Sequence, residues 1–422
     1  MSGCAPMDGA AEGAAAPAGI DGVVPARVVD AASVEEVQDT LRDAAAANEA
    51  VVAIGRGRHL ALGEPPARCD VLLRLASLAR IREHHAGDMT VTVEAGCTLA
   101  DIDRQLAADG QWLGLDAPAP EDTSVGGFLA ANLSGPLRAS HGTARDLLLG
   151  LRWISAQGER VAAGGRVVKN VAGYDLHKAH VGALGTLGVL VEATFKVRPR
   201  PPHERALVVA CSDAPAAIAA ALDARDAVEP AWLEAASGAV LGVDAAAGFA
   251  VGWLGIEQEL DDAERRVRTR LAATEHATVV HALADADAAA LRRGLADLAL
   301  APAAAVLRLA TLPDALGEAI AGLAADASDP PRWAAHAANG VARVSLRDAA
   351  QVVPMVAAAR PRLERAGGSL VVERTTADVK HALAAHGGVF GDPGPGRELM
   401  RRLKDAFDPG RTLAPGRYVA GI

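Results

Sequence analysis

Three glycine clusters, each set against an apolar run, constrain this chain more than any other feature. The first, Gly55-Arg56-Gly57-Arg58-His59, follows the run 51–54. The second lies within 119–146 and holds Gly126-Gly127, Asn132, Ser134-Gly135 and Gly142, while the third, "GALGTLG" at 182–188, turns directly into "VLVEATFKV". Glycine admits positive φ and lets another group approach the main chain. A strand ending in Gly55–His59 can therefore aim several N–H groups into one concavity, an anion nest, with Arg56 and Arg58 adding positive charge. Taken alone, the first cluster reads more readily as a two-residue hairpin turn. A dinucleotide fingerprint of the Rossmann type is excluded there, because position 60 is leucine and "ALGEPP" follows where a helix should open. The third cluster lacks the Lys-Ser/Thr pair of a P-loop, which disfavours a nucleoside triphosphate. A loop as long as the second is functional or disordered, and the small apolar residues between its glycines speak for order. Three loops rich in backbone donors together imply an extended ligand with a diphosphate and flat rings.

The remaining composition narrows the setting. At 422 residues the chain exceeds one ordinary core and favours two or three packed units. Half the residues are apolar and 22% are charged, as in a folded protein. A net charge of −10 and 3% aromatics leave no basic stripe for nucleic acid. Cys4, Cys69, Cys97 and Cys211 stand far apart with no CxxC pair. That spacing fits a reducing cytoplasm and gives no self-contained zinc or iron–sulfur site, so an iron–sulfur cluster would have to come from another chain. No metal site is expected. The longest apolar stretches are broken by Asp, Arg or Pro, so no spanning helix is expected. Residues 1–22 lack a basic start and a continuous apolar segment, and read as a flexible tail.

Ser33 three residues before Glu36, ahead of Val34, Val37 and Leu41, predicts a capped amphipathic helix, followed by a strand at 51–54. Further strands are expected at 70–75, 89–95, 151–156 and 188–197, with a second capped helix from Thr98 to about 108. The pattern is α+β. "RPRPPHE" at 198–204 marks a domain boundary. Beyond it, strand-like and helical segments alternate in an order that recurs from 305 onward, as split βαβ units would. The expected organisation is a tail (1–22), a first domain (23–200), an α+β domain (201–375) and a carboxy-terminal segment (376–422) that returns to the first domain.

The order and spacing of "GRGRHLALG", "VTVEAG", "TSVGGFLAANLSGP", "HGTARDLLLG", "GGRVVKNVAGYDLHK", "GALGTLGVLVEATFKVRP" and "FDPGRTLAPGR" resemble one known family. It is the FAD-binding domain type shared by vanillyl-alcohol oxidase and p-cresol methylhydroxylase (PCMH/VAO type), and within it the likeness is to the E-type FAD-binding subunit of bacterial glycolate oxidases. The resemblance implies a two-subdomain FAD cradle carrying an α+β, ferredoxin-like cap. It implies that Gly55, Arg56, Gly57, Arg58 and His59 wrap the pyrophosphate of a non-covalent FAD. Ser124, Val125, Gly126 and Gly127 would add main-chain donors near the ribityl and phosphate groups, with Pro118, Thr123 and Asn132 counted in the same site. Ser134, Gly135 and Gly142 would lie near the flavin ring, and Gly185, Gly188 and Val189 would line the adenosine end. Some members attach the flavin through a first-loop histidine; here His59 is displaced by one residue, with Arg58 at the expected place.

The chemistry this implies is oxidation of a small 2-hydroxy acid, glycolate to glyoxylate, with FAD as electron acceptor. Such a site needs a cation for the carboxylate and a base for the hydroxyl proton. His141 could be that base or a hydrogen-bonded structural residue. Tyr174 and Lys169 could polarise the flavin or bind substrate, or Lys169, Asn170 and Asp175 could simply fix their loop. His381 and His386 are five apart and do not share a helix face as metal ligands would. The implied partners are a D-type FAD subunit and an iron–sulfur F-type subunit, placing the chain in the cytoplasm with any membrane contact made through them. No carboxylate-binding Arg–His set is legible between 200 and 400. Two readings stand beside each other: a catalytic FAD subunit, or an assembly subunit whose FAD is structural or relays electrons. A stand-alone flavin oxidase for another alcohol or sugar is the third.

Overall fold

The computed structural model describes residues 19–166, 174–274 and 277–422. Residues 1–18 of the expected tail, and Lys169 and Asn170 of "GGRVVKNVAGYDLHK", lie outside them.

The chain first lays down a small parallel sheet from β1 (Arg27–Asp30), β2 (Val51–Ile54) and β3 (Val71–Arg74), in the order β1-β3-β2. The helix Val34–Ala46 crosses over it and buries Val37, Leu41 and Ala44. It starts where the sequence predicts: Ser33 Oγ accepts from the Glu36 amide at 3.2 Å, and Glu36 reaches back to the Ala32 amide at 2.8 Å.

A second subdomain follows. Strands β4 (Ile81–His85), β5 (Thr90–Glu94), β7 (Leu148–Ile154), β8 (Arg160–Gly164) and β9 (Val189–Lys196) form an antiparallel sheet in the order β4-β5-β9-β7-β8, and β6 (Gln111–Trp112) lies outside it. Helices Leu99–Ala107 and Val125–Ala131 pack on this sheet, burying Ile102, Phe128 and Leu129 against Val93, Leu151 and Phe195. The proline-rich stretch is pinned to this subdomain, because β10 (Arg198–Pro199) pairs with β6.

The rest of the chain builds one eight-stranded sheet from β11 (His203–Cys211), β12 (Trp232–Ser237), β13 (Ala247–Gly255), β14 (Ala277–Ala284), β15 (Ala305–Ala310), β16 (Arg332–His336), β17 (Val341–Leu346) and β18 (Ser369–Arg374). Its order, β14-β11-β13-β12-β16-β17-β15-β18, splits into two βαββαβ halves of ferredoxin-like order. The halves join edge to edge through β12 and β16, where Glu234 lies opposite His336. Four helices, 214–227, 257–271, 316–325 and 352–365, cover one face over a core that includes Leu207, Phe249, Trp333 and Val344. The recurring element order in the sequence is this pair of halves. The α+β fold expected from the resemblance, a two-subdomain FAD-type domain with a ferredoxin-like cap, is the fold observed.

The other face of the large sheet turns toward the first domain. Trp112 and Leu137 pack there against Trp232, Ala236 and Ala250. A buried ionic pin crosses the same seam: Arg292 pairs with Asp116 of the first domain and with both oxygens of Glu204, at 2.7 and 3.1 Å. Glu204 Oε1 also accepts from Trp232 Nε1 at 2.9 Å. Removing Arg292 would leave the Asp116 and Glu204 carboxyl groups buried without their cation, a cost of about 3–5 kcal/mol. The pin therefore fixes how the cap sits over the first domain. Among the described residues no helix is long and apolar enough to cross a membrane.

Candidate functional site

β2 runs out into the first glycine loop at the junction of the two subdomains, and the helix 125–131 and the loop 182–188 meet it there. They enclose a cavity whose empty space, open solvent included, is about 810 Å³. Gly55 to His59, Ser124, Gly126, Gly127, Gly185, Gly188 and Val189 all lie on it, among apolar walls from Val52, Ile54, Leu75 and Leu190.

The first loop is shaped as an anion nest. Gly57 has φ +75°, and a Cβ added to it would meet no protein atom within 4 Å. At Gly55 an added Cβ would overlap the Ser124 hydroxyl, so glycine is what lets this loop sit on the helix start. The amides of Arg56, Gly57, Arg58 and His59 donate to no protein acceptor among the described residues. Four consecutive unpartnered donors at the end of a strand, with the exposed Arg56 and Arg58 beside them, suit a phosphate. The hairpin alternative fails, because β2 pairs in parallel with β3 and does not turn back on itself.

The second loop acts differently from expectation. The amides of Val125 and Gly126 are spent on the carbonyls of Cys97 (2.9 Å) and Ala95 (2.8 Å), and Gly127 donates to Ser124 Oγ at 3.3 Å. Their donors are thus taken up within the fold, and what Ser124, Gly126 and Gly127 offer a ligand is a close, small-residue wall. Val125 is fully buried behind it. Pro118 and Thr123 shape the first loop from behind. The Thr123 hydroxyl donates to the Pro118 carbonyl at 2.6 Å and therefore accepts from His59 Nε2 at 3.0 Å. His59 thus carries its proton on Nε2. Burial pushes its pKa down to about 4, with the charge of Arg58 next in weight, so the ring is neutral near pH 7.

Several expected residues sit away from this cavity. Asn132 ends the helix 125–131 in a left-handed conformation, and its side chain packs by Gly182. Ser134 accepts from Arg138, Gly135 lies against Asp116, and Gly142 closes the short helix Arg138–His141 against Asp146. None of these four lines the cavity. His141 stands at the seam with the cap, edge-on to Trp112 at 5.6 Å, with Nδ1 2.6 Å from Ser140 Oγ. Ser140 Oγ in turn donates to the Ala231 carbonyl. Burial, then Arg198 and Arg292, push the pKa of His141 down to about 4. Tyr174 is 91% exposed. His381 and His386 are both exposed. Among the described residues no group of three or more His, Cys, Asp or Glu side chains is placed to hold a metal ion.

The cap face carries the set that was not legible in the sequence. Glu373 on β18 is held between Arg343 on β17, at 2.8 Å, and Arg308 on β15, at 3.1 Å. Burial pushes the Glu373 carboxyl up, yet Arg343 and Arg308 outweigh it and hold it below its ordinary range. Beside them His336 Nδ1 lies 2.6 Å from Glu234 Oε1, both buried. A carboxylate accepts at this distance, so the His336 ring is oriented with Nδ1 toward Glu234 and Nε2 away from it. The charges of Arg343 and Glu373 are felt at His59, and those of Arg343, Glu234 and Arg308 at Arg138. The two arginines and two glutamates of this cap-face set balance in formal charge, and their influences on His59 oppose each other.

Residues 25–164 match the protein family described as FAD binding domain. A D-2-hydroxyglutarate dehydrogenase of Xanthomonas citri pv. viticola is 34% identical over 178 residues, 42% of this chain and 38% of the relative. The glycolate oxidase subunit GlcE of Escherichia coli is 43% identical over 115 residues, 27% of this chain and 33% of the relative. The glycolate oxidase subunit GlcD of Bacillus subtilis is 29% identical over 185 residues, 44% of this chain and 39% of the relative. The chain spans well under half the length of these curated relatives. A solved alkyldihydroxyacetonephosphate synthase superposes with a TM-score of 0.67 over 93% of this chain and 77% of its own, at 18% identity, a likeness of fold. The first domain is an FAD-binding domain. The cavity suits that cofactor on its own terms, with free amides and arginines in the first loop and apolar walls beside them.

Proposed function

We propose that this chain is an FAD-dependent oxidoreductase for small 2-hydroxy acids, glycolate first among them, working as one subunit of a complex that passes electrons to an iron–sulfur partner. The observation that carries the reading is the Arg308–Glu373–Arg343 cluster next to the His336–Glu234 pair. A bound FAD supplies a two-electron acceptor for the substrate's α-carbon. Arg343 and Arg308 hold and orient the substrate carboxylate, the geometry at which guanidinium groups excel. His336 takes the hydroxyl proton at Nε2, and Glu234 keeps the ring in that orientation and stabilises the charge it gains. His59, neutral and tied to Thr123, positions the first loop without competing for that proton. In this reading His141, Tyr174 and Lys169 are not assigned the chemistry.

The partners in view are a D-type FAD subunit and an iron–sulfur F-type subunit, with membrane contact made only through them. Similarity to segments of both GlcE and GlcD supports a place in such an assembly. One observation favours a second reading. Glu373 already occupies the space between the two arginines, as it would if the cap were structural and the chain mainly an assembly subunit. The test is anaerobic mixing of the FAD-loaded single chain with glycolate, D-lactate and D-2-hydroxyglutarate, followed by flavin absorbance. Rapid bleaching by one of them without partners supports catalysis by this chain and sinks the assembly reading. Bleaching only after the partner subunits are added supports the assembly reading instead.

A further inference from the structure

Three buried cations of the carboxy-terminal segment play no part in the proposed reaction, yet each grips main-chain carbonyls of a cofactor loop or of the turn that follows it. Lys380, 1% exposed, donates from Nζ to the carbonyls of Ala61 at 2.6 Å and Gly63 at 2.9 Å, and to Asp21 Oδ2 at 2.8 Å. Arg417 donates from Nη2 to the carbonyls of Leu60, at 2.8 Å, and Leu62, and from Nη1 to that of Glu64 at 3.4 Å. Lys404, fully buried, donates to the Thr186 carbonyl in the third glycine loop at 2.8 Å. It also reaches the Leu413 carbonyl and Asp408 Oδ2, both at 2.7 Å.

The main chain follows the same path. The Val51 amide donates to the Thr412 carbonyl at 2.7 Å, and Ala414 donates back to Val51 at 2.8 Å, so the segment lies along the strand that feeds the first loop. The Glu64 amide donates to the Arg417 carbonyl at 3.0 Å. Gly63, at φ +102°, is where the two loops touch: an added Cβ would sit 2.9 Å from both the Arg417 carbonyl oxygen and Leu184 Cδ1. A lysine or arginine taken out of water persists only where several acceptors converge on it. These cations therefore hold the loop carbonyls in one arrangement, and the carbonyls hold the segment in place.

We propose that Lys380, Lys404 and Arg417 are positioning residues for the cofactor, and that docking of residues 376–422 and formation of the FAD site are one coupled event. The inference rests on the cavity being the FAD site. Arg417 lines the cavity and Lys380 and Lys404 do not, so loss of either lysine can weaken binding without any contact with the cofactor: a site formed only a tenth of the time binds about tenfold more weakly.

The experiment uses the full chain stripped of flavin. Hydrogen exchange in the wild type should show the 60–64 turn, the 183–186 loop and the 408–417 stretch opening with one common free energy, and FAD should slow all three together. Lys380→Met and Lys404→Met, at positions that do not line the cavity, should weaken FAD binding by about tenfold or more. Excess FAD should restore the exchange protection of the loops. Ile320→Ala, in the cap core, should lower the melting temperature while leaving FAD affinity unchanged, which separates positioning from general loss of stability. Independent opening of the three stretches in the wild type would overturn the proposal even where a variant fails to fold. So would folded variants that bind FAD as tightly as the wild type. A folded wild-type chain that takes up no FAD refutes the site itself, an outcome distinct from both.

Discussion

Arg343 offers the sharpest test of the cap face. Its guanidinium meets Glu373 at 2.8 Å and is only 12% exposed, so Arg343→Met strips a charge from a site with little water to replace it. A hydrogen bond to a charged group contributes about 1.5–3 kcal/mol. At about 1.36 kcal/mol per decade, losing such a contact to a substrate carboxylate should raise the half-saturating concentration of glycolate by roughly 10- to 150-fold. The single substitution also leaves Glu373 with Arg308 alone, and breaking a buried pair costs about 3–5 kcal/mol of stability. The double variant Arg343→Met with Glu373→Gln removes both charges and should recover most of that loss, while the defect in substrate binding persists. The assay is anaerobic stopped-flow reduction of FAD-loaded protein over a range of glycolate concentrations, with FAD affinity measured separately. Unchanged half-saturation in a folded, flavin-loaded double variant would refute the assignment of Arg343 to the carboxylate.

Gly57→Val should give protein without bound flavin, because φ +75° is strained for a β-branched residue and its side chain would enter the space left for the ligand; normal flavin content in the purified variant would count against the nest. His180 is 2% exposed against Trp153 and Phe407, and burial holds its pKa at about 4. Its folded pKa lies below the unfolded value, so its contribution is intact above about pH 6.5 and is lost as pH falls toward 4, reaching about 2 kcal/mol at pH 5. Denaturant titrations at pH 7 and pH 5 should show that loss in the wild type and a smaller one in His180→Phe; equal losses would reject His180 as its source. Tyr174→Ala should leave flavin content and reduction rate unchanged, given 91% exposure of the side chain, and a large fall in rate would return Tyr174 to the site.

What was legible in the sequence was whatever is contiguous in the chain. The first loop reads as a nest because strand, glycines and arginines follow one another within nine residues, 51–59. The two halves of the cap are likewise visible as a repeated element order. Residues brought together only by the fold were not legible. Glu234, Arg308, His336, Arg343 and Glu373 come from five different strands, and only the sheet order puts them side by side on one face. The amides of Val125 and Gly126 look free in the sequence and are spent on Cys97 and Ala95, partners set by tertiary packing. His141 is close in sequence to the second loop but belongs to the domain seam, where Trp112 receives it. β4, with Glu83, His84 and His85 among its five residues, lacks an apolar alternation because it is an edge strand. Lys380, Lys404 and Arg417 carry no local sequence signal, because most of the carbonyls they grip come from distant parts of the chain.

The most direct measurement is an equilibrium titration of the folded, flavin-free chain with FAD, followed by flavin fluorescence. Saturable uptake of one FAD per chain, abolished in Gly57→Val, is the expected result. A chain with native circular dichroism and a cooperative melt that leaves added FAD free in solution would contradict the account at its root.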